Sequence, residues 1–141
     1  MKANELTSKD LMIEDWLQDS FGNIGQVYRL DPGRVHLRLL QERHQDEEYI
    51  VHDIEPIPLT SEILEKNGFN EEQKRVRFVV SHKEYQLTYY FNSNWFSIYK
   101  NANVIGSDYP IFICAFQERI KYVHELQHVL KLCGIDKEIV V

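Results

Sequence analysis

The sequence predicts an α+β fold: a small SH3-like β lobe over residues 1–53, then a lobe over 54–141 built from a short linker helix, an antiparallel meander and a C-terminal helix packed on the meander, the two forming one compact unit. Three observations carry this. Apolar and polar residues alternate over short runs, the two-residue period of half-buried strands. Turn-forming residues separate those runs at close intervals. One stretch near the C-terminus switches to the 3.6-residue period of an amphipathic helix.

The elements follow in order. Thr7-Ser8-Lys9-Asp10 has the spacing of a capping box, so Leu11–Leu17 reads either as a short helix or as a first strand. Phe21-Gly22-Asn23-Ile24-Gly25 makes a glycine-bearing turn into Gln26–Leu30, and Asp31-Pro32-Gly33 makes a second turn. Val35, Leu37 and Leu39 then alternate with Arg34, His36 and Arg38, the pattern of a strand buried on one face. Gln41–Glu48 is charged and reads as a loop tip, after which Tyr49-Ile50-Val51 resumes a strand. Prolines 56 and 58 hold Ile54–Leu59 extended, because each pushes the preceding residue out of the helical region. Thr60 is the N-cap of a helix over Ser61–Asn67 that Gly68 stops; this is the seam between the halves.

Val76, Phe78 and Val80 alternate with Arg75, Arg77 and Val79 to open the second strand set. Leu87–Phe91 and Trp95–Tyr99 flank an Asn92-Ser93-Asn94 turn, whose asparagines tolerate left-handed geometry. Ile111–Phe116 is a further strand, and a helix over about Glu118–Leu132 closes the chain.

Composition narrows the function. The chain has 141 residues, 43% hydrophobic and 12% aromatic, enough for one domain with its own core. A net charge of −6 disfavours broad charge-driven binding to nucleic acid or to an anionic membrane. No apolar segment follows Met1-Lys2-Ala3-Asn4-Glu5 and no run is long enough to span a bilayer, so a cytoplasmic protein with no membrane partner is expected. In that compartment Cys114 and Cys133 are expected as buried, reduced thiols.

The one catalytic signature is His124-Glu125-Leu126-Gln127-His128, an H-E-x-x-H that sets two imidazoles one helical turn apart with a glutamate between them. On a helical wheel Tyr122, Val123, Leu126, Val129, Leu130 and Cys133 gather on one side, and His124 and His128 fall with Lys121 and Lys131 roughly 160° away. The histidines are therefore expected on the solvent face. Asp136 and Glu138 follow Gly134, which ends the helix before either can serve as a third ligand. No catalytic residue and no cofactor is expected, and a zinc hydrolase at His124, Glu125 and His128 is the remote alternative.

Two surfaces remain. Arg34, Arg38, Arg75 and Arg77, with Arg29, would make a basic stripe if the two strand sets lie side by side; the alternative is solvated arginines neutralised by nearby acids. Tyr90 and Trp95 stand out in an aromatic run that serves either as a stacking platform or as cross-strand core pairs. His44, Asp46, His52 and Asp53 have no spacing that converges on a metal, and Glu47-Glu48 and Glu71-Glu72 read as solvated loop charge. No nucleophile elbow or glycine-rich phosphate loop is present.

Ile54-Glu55-Pro56-Ile57-Pro58-Leu59-Thr60, followed by Ile63-Leu64-Glu65-Lys66-Asn67-Gly68-Phe69, resembles the I-x-P-I-P-L-T…L-x-K-x-G-F signature of a family of short uncharacterised proteins of Bacteroidetes genomes and prophages. Ile120–Gln127 is similar to that family's closing K-Y-[VL]-H-x-L-Q-N helix, and Met1–Leu6 to its usual start. Two positions depart from it: His128 stands where the family has asparagine, and Ile13-Glu14-Asp15 where it has Ile-Gly-Asp. The resemblance implies a small cytosolic protein, often of mobile-element origin, and supplies no catalytic residues. The function expected is a non-enzymatic accessory protein that binds a host or phage protein, with nucleic-acid binding through the strand arginines and aromatics as the alternative.

Overall fold

The structure is a computed structural model that describes residues 6–40, 46–102, 106, 108–116 and 119–141. It is α+β, with two five-stranded antiparallel sheets among the described residues. The chain divides into two units, residues 1–58 with 122–138 and residues 59–121 with 139–141.

In the first unit, β1 (Trp16–Asp19), β2 (Ile24–Asp31), β3 (Arg34–Leu39), β4 (Asp46–Ile50) and β5 (Ile54–Pro56) stand in the order β4-β3-β2-β1-β5. Leu17, Val27, Val35, Leu37 and Ile54 fill the core, and the alternation read from β3 is the observed one: Val35, Leu37 and Leu39 are buried while Arg34 and Arg38 are exposed. The Thr7–Asp10 box is also real. Thr7 N–H and its hydroxyl both donate to the Asp10 carboxylate, but they close only a 3-10 turn, and the strand begins later, at Trp16. The expected loop tip overlaps β4, because Asp46, Glu47 and Glu48 pair with Arg38, Leu37 and His36.

Gly25 is the one glycine of this sheet fixed by close approach. A Cβ there would meet the Arg38 carbonyl oxygen at 2.9 Å, Leu39 Cδ2 at 3.0 Å and Leu37 Cβ at 3.1 Å. Backbone cannot step aside cheaply, so Gly25→Ala is expected to cost about 1–3 kcal/mol by overpacking. A denaturation midpoint unchanged by the substitution would contradict this.

In the second unit, Thr60 Oγ1 accepts from Ile63 N–H and opens α1 (Ser61–Lys66), which ends at Asn67 with Gly68 in the left-handed region at φ +87°, as the sequence predicts. The sheet runs β10-β9-β8-β7-β6, from β6 (Asn70–Gln73), β7 (Arg77–His82), β8 (Tyr85–Tyr90), β9 (Trp95–Lys100) and β10 (Ile111–Phe116). Asn94 takes φ +56° in the β8–β9 turn. The Glu71-Glu72 pair lies in β6, a strand and not a loop.

The last helix departs most from expectation. α2 (Val123–Leu132) starts after an extended stretch in which Ile120 N–H donates to the Asn94 carbonyl and Lys121 accepts from Leu59 N–H. It belongs to the first unit and contacts β1, where the sequence reading had placed it on the meander. The physical reason is that its polar side chains have partners in the segment leading into β1, described next. No helix among the described residues is long and apolar enough to cross a membrane.

Candidate binding surfaces

Two of the H-E-x-x-H side chains, Glu125 and His128, are hydrogen-bonded within the fold. Val123 opens α2 and Glu125 sits three residues after the N-cap, where Oε1 accepts from the Tyr122 backbone N–H at 3.0 Å; this is the reciprocal half of a capping box. Asp15, fully buried, accepts from His128 Nε2 at 2.7 and 2.8 Å and from Met12 N–H at 2.8 Å. Gln127 bridges two backbone groups, accepting from Trp16 N–H and donating to the Glu14 carbonyl, each at 2.9 Å. Lys131 donates to the Ile13 carbonyl at 2.7 Å. Three side chains on neighbouring turns thus grip residues 13–16, and Glu14 is held there at φ +76°.

The expectation of solvent-facing histidines is therefore corrected. His124 is only 4% exposed, nearly parallel to the Tyr122 ring and edge-on to His128 at 5.5 Å between centroids. The wheel registers apolar residues and cannot see a polar face that finds partners elsewhere. Burial holds the His124 imidazole below its ordinary range, with His128 adding to the effect and Asp15, Glu125 and Asp10 opposing it. Chemically, His128 Nε2 is occupied by a carboxylate and Glu125 by a backbone amide. No group of three or more His, Cys, Asp or Glu side chains among the described residues is placed to hold a metal ion. His44 lies outside the described residues; His52 and Asp53 lie in a 3-10 turn ahead of β5, and Asp46 is paired with Arg38. Cys114 and Cys133 are half-buried rather than buried, and neither is in a disulfide.

Arg34 and Arg38 lie in the first sheet and Arg77 in the second. Each has an acid. Arg34 pairs with Glu48 at 3.1 Å, Arg38 with Asp46 at 3.3 Å while lying over the Tyr28 ring at 5.2 Å, and Arg77 with Glu72 at 2.8 Å. Arg29 and His36 share Asp31. Arg75 is exposed in the β6–β7 turn at φ +58°, its N–H bonded to Glu71. These are solvent-facing pairs, each worth under about 1 kcal/mol, but they cancel the positive field that a phosphate would seek.

The second sheet does bring three predicted residues together. Register places Arg77 opposite Tyr90 and Tyr90 opposite Trp95, so Arg77, Tyr90 and Trp95 form one row across a single face. Four residues along β9 from Trp95, Tyr99 bonds Tyr90 and Ser97. Burial first, then Tyr90, raises the Tyr99 phenol, so it stays a neutral hydrogen-bonding group. Beside it Phe112 of β10 meets Tyr99 edge-on at 5.7 Å.

The sheet edges separate this region from the rest of the molecule. An open edge exposes unpaired N–H and C=O groups, and proteins blunt it with charge, proline or short length. β4 carries Asp46, Glu47 and Glu48; β6 carries Glu71 and Glu72; β5 is three residues long and ends at Pro56. β10 has no charge and no proline, and its one irregularity is a register slip between Phe112 and Cys114. Its six residues, Ile-Phe-Ile-Cys-Ala-Phe, are uncharged, and Ile111, Phe112 and Ile113 are 53%, 56% and 46% exposed. No strand among the described residues pairs with its outer side. Sequence reasoning identified Ile111–Phe116 as a strand and missed its importance; the available signal was a six-residue apolar run without alternation in a small antiparallel sheet. Comparison with known proteins adds no assignment: no family model, curated protein or solved structure matches the chain.

Proposed function

We propose that the chain is a non-enzymatic accessory protein that works by protein binding, receiving an extended segment on the open edge of β10. The observation that carries this is the contrast between β10 and the three blunted edges. Strand addition draws its affinity from main-chain hydrogen bonds and its selectivity from side chains at alternate positions. Phe112, with Tyr99 behind it, supplies an aromatic surface at such a position. The hydrogen bonds that occupy Glu125 and His128 support a role without catalysis. We also read the first unit as SH3-like; supporting this are a meander whose last strand returns beside its first and a 3-10 turn leading into that strand.

The test compares wild type with Ile113→Lys as bait in the same lysate, analysing protein and nucleic acid in both eluates. Ile113 is exposed, so lysine there is expected to leave the fold intact while placing a charge on the edge. A stoichiometric protein partner held by wild type and absent from the variant is the expected result. Equal retention by both would remove β10 from the reading. The second reading, nucleic-acid binding, is favoured by the Arg77-Tyr90-Trp95 row, and predicts recovered nucleic acid that dissociates as salt is raised.

A further inference from the structure

Resting on the nucleic-acid reading above, we propose that a single-stranded nucleic acid binds across one end of the second sheet, with its phosphates on Lys74, Arg75 and Arg119 and its bases on Trp95 and Tyr90. The net charge of −6 opposes such a ligand only as an average over the chain. Residues 1–58 and 122–138 hold eight Lys and Arg against fifteen Asp and Glu, whereas residues 59–121 and 139–141 hold eight against seven. The excess of acid belongs wholly to the first unit.

Strand order then gathers the cations of the second unit. β7 begins at Arg77, beside the end of β8 at Tyr90 and the start of β9 at Trp95, so the β6–β7 and β8–β9 turns share one end of the sheet. β10 finishes at that same end, where Phe116 stands opposite Phe96. Beyond it, Ile120 N–H donates to the Asn94 carbonyl at 2.9 Å, which brings Arg119 back beside the β8–β9 turn. Lys74 and Arg75 of the first turn, Arg119 and Lys121 are exposed, and Arg77 is half-buried. These five cations outnumber the neighbouring acids Glu71 and Glu72 even when Glu118, outside the described residues, is counted with them. Glu72 is taken by Arg77, and Glu71 bonds the Arg75 backbone N–H. No ion pair among the described residues holds Lys74, Arg75 or Arg119.

The rings lie between the cations. Trp95 is 41% exposed, and Tyr90 beside it is bonded to Tyr99, which fixes its ring before a ligand arrives. Cations on the β7 side and on the β10 side, with rings between, suit a chain in which phosphates alternate with bases. A duplex keeps its base faces stacked inside, so only a single strand can use both features.

The test is fluorescence anisotropy of labelled oligo(dT) and oligo(U) with the full chain over a salt series, and duplex DNA as a third probe. Single strands are expected to bind at low salt, with affinity falling on a log–log slope of about −2, the value for three neutralised phosphates. The tighter of the two identifies the ligand as DNA or RNA, since only RNA offers a 2′-hydroxyl. Lys74→Ala and Arg119→Ala are each expected to flatten the slope by about 0.7, and Trp95→Ala to weaken binding about 10-fold at unchanged slope. Arg34→Ala, in the acidic first unit, is expected to change neither. No binding at low salt overturns both this proposal and the nucleic-acid reading. Binding that Arg119→Ala and Trp95→Ala leave unchanged, or a duplex bound as tightly as a single strand, keeps that reading and overturns this site. The β10 reading is separate, because Ile113→Lys is expected to keep the oligonucleotide while losing the captured protein.

Discussion

Asp15→Ala is expected to destabilise the first unit by about 3–5 kcal/mol, the scale for breaking a buried charged network by removing one partner. Asp15 has no solvent exposure, and its carboxylate is the acceptor for both His128 Nε2 and Met12 N–H. Alanine would leave the amide unpaired and the imidazole facing an apolar void. It would also loosen the register in which Gln127 meets Trp16 N–H and the Glu14 carbonyl. Domains of this size hold only about 5–15 kcal/mol, so much of the unit's margin is at stake. The probe is built in, because Trp16 is buried in the first unit while Trp95 lies in the second; Trp95→Phe isolates the signal. Urea titration in that background should show the midpoint fall with an unchanged slope. A loss below about 1 kcal/mol would mean that the Asp15 contacts are incidental to stability. Asp15→Asn retains an acceptor for one donor and should fall between wild type and alanine. His128→Gln, whose amide nitrogen can take up nearly the position of the imidazole Nε2, should cost less than His128→Ala.

The same network explains how far the sequence could be read. Elements set by neighbouring residues were legible: the β3 alternation, the Thr60 cap with its Gly68 stop, and the Asn94 turn each rest on chemistry within a few positions. β6 and the acidic start of β4 were not, because an edge strand rich in acids has solvated side chains and no alternation to detect; it is a strand only because Arg38 or Phe78 lies alongside. α2 was placed on the wrong sheet for the same reason at longer range. Its anchor, Asp15, is 113 residues from His128, and no local pattern links them.

The candidate surface divides along that line too. Arg77, Tyr90 and Trp95 carried a chemical signature and do share a row, although nothing local predicted that Glu72 would hold Arg77. β10 offered a composition whose meaning depends on what lies on its outer side, and that is a property of sheet order. Ile-Phe-Ile-Cys-Ala-Phe is an ordinary buried strand when central and an open template when last.

Acid should loosen the first unit first, and His124 should be the cause. Its folded-state pKa lies below the ordinary value of 6.5, burial being the largest reason, with His128 acting in the same direction. Asp15, Glu125 and Asp10 pull the other way and do not prevail. The unfolded chain therefore binds a proton before the folded one as pH falls. The stability associated with a neutral His124 is complete above about pH 6.5 and is lost from there down to the folded pKa, with a slope of up to about 1.4 kcal/mol per pH unit for one proton. Below the folded pKa the loss stops growing. Asp19 acts in a separate window. Burial pushes its carboxyl up, but hydrogen bonds from Asn23, Phe21 and Tyr49 more than offset this, so its contribution disappears only as pH falls below 3.8. His124→Phe keeps a flat ring beside Tyr122 and cannot take up a proton. Subtracting its stability profile from that of wild type between pH 4.5 and 7.5, on the order of the window set by an ordinary histidine, isolates the His124 contribution. A difference that changes across this range, with wild type losing more on acidification, is the expected result. Parallel profiles would show that the buried imidazole carries no proton-linked stability, and acid sensitivity would then have to come from groups other than His124.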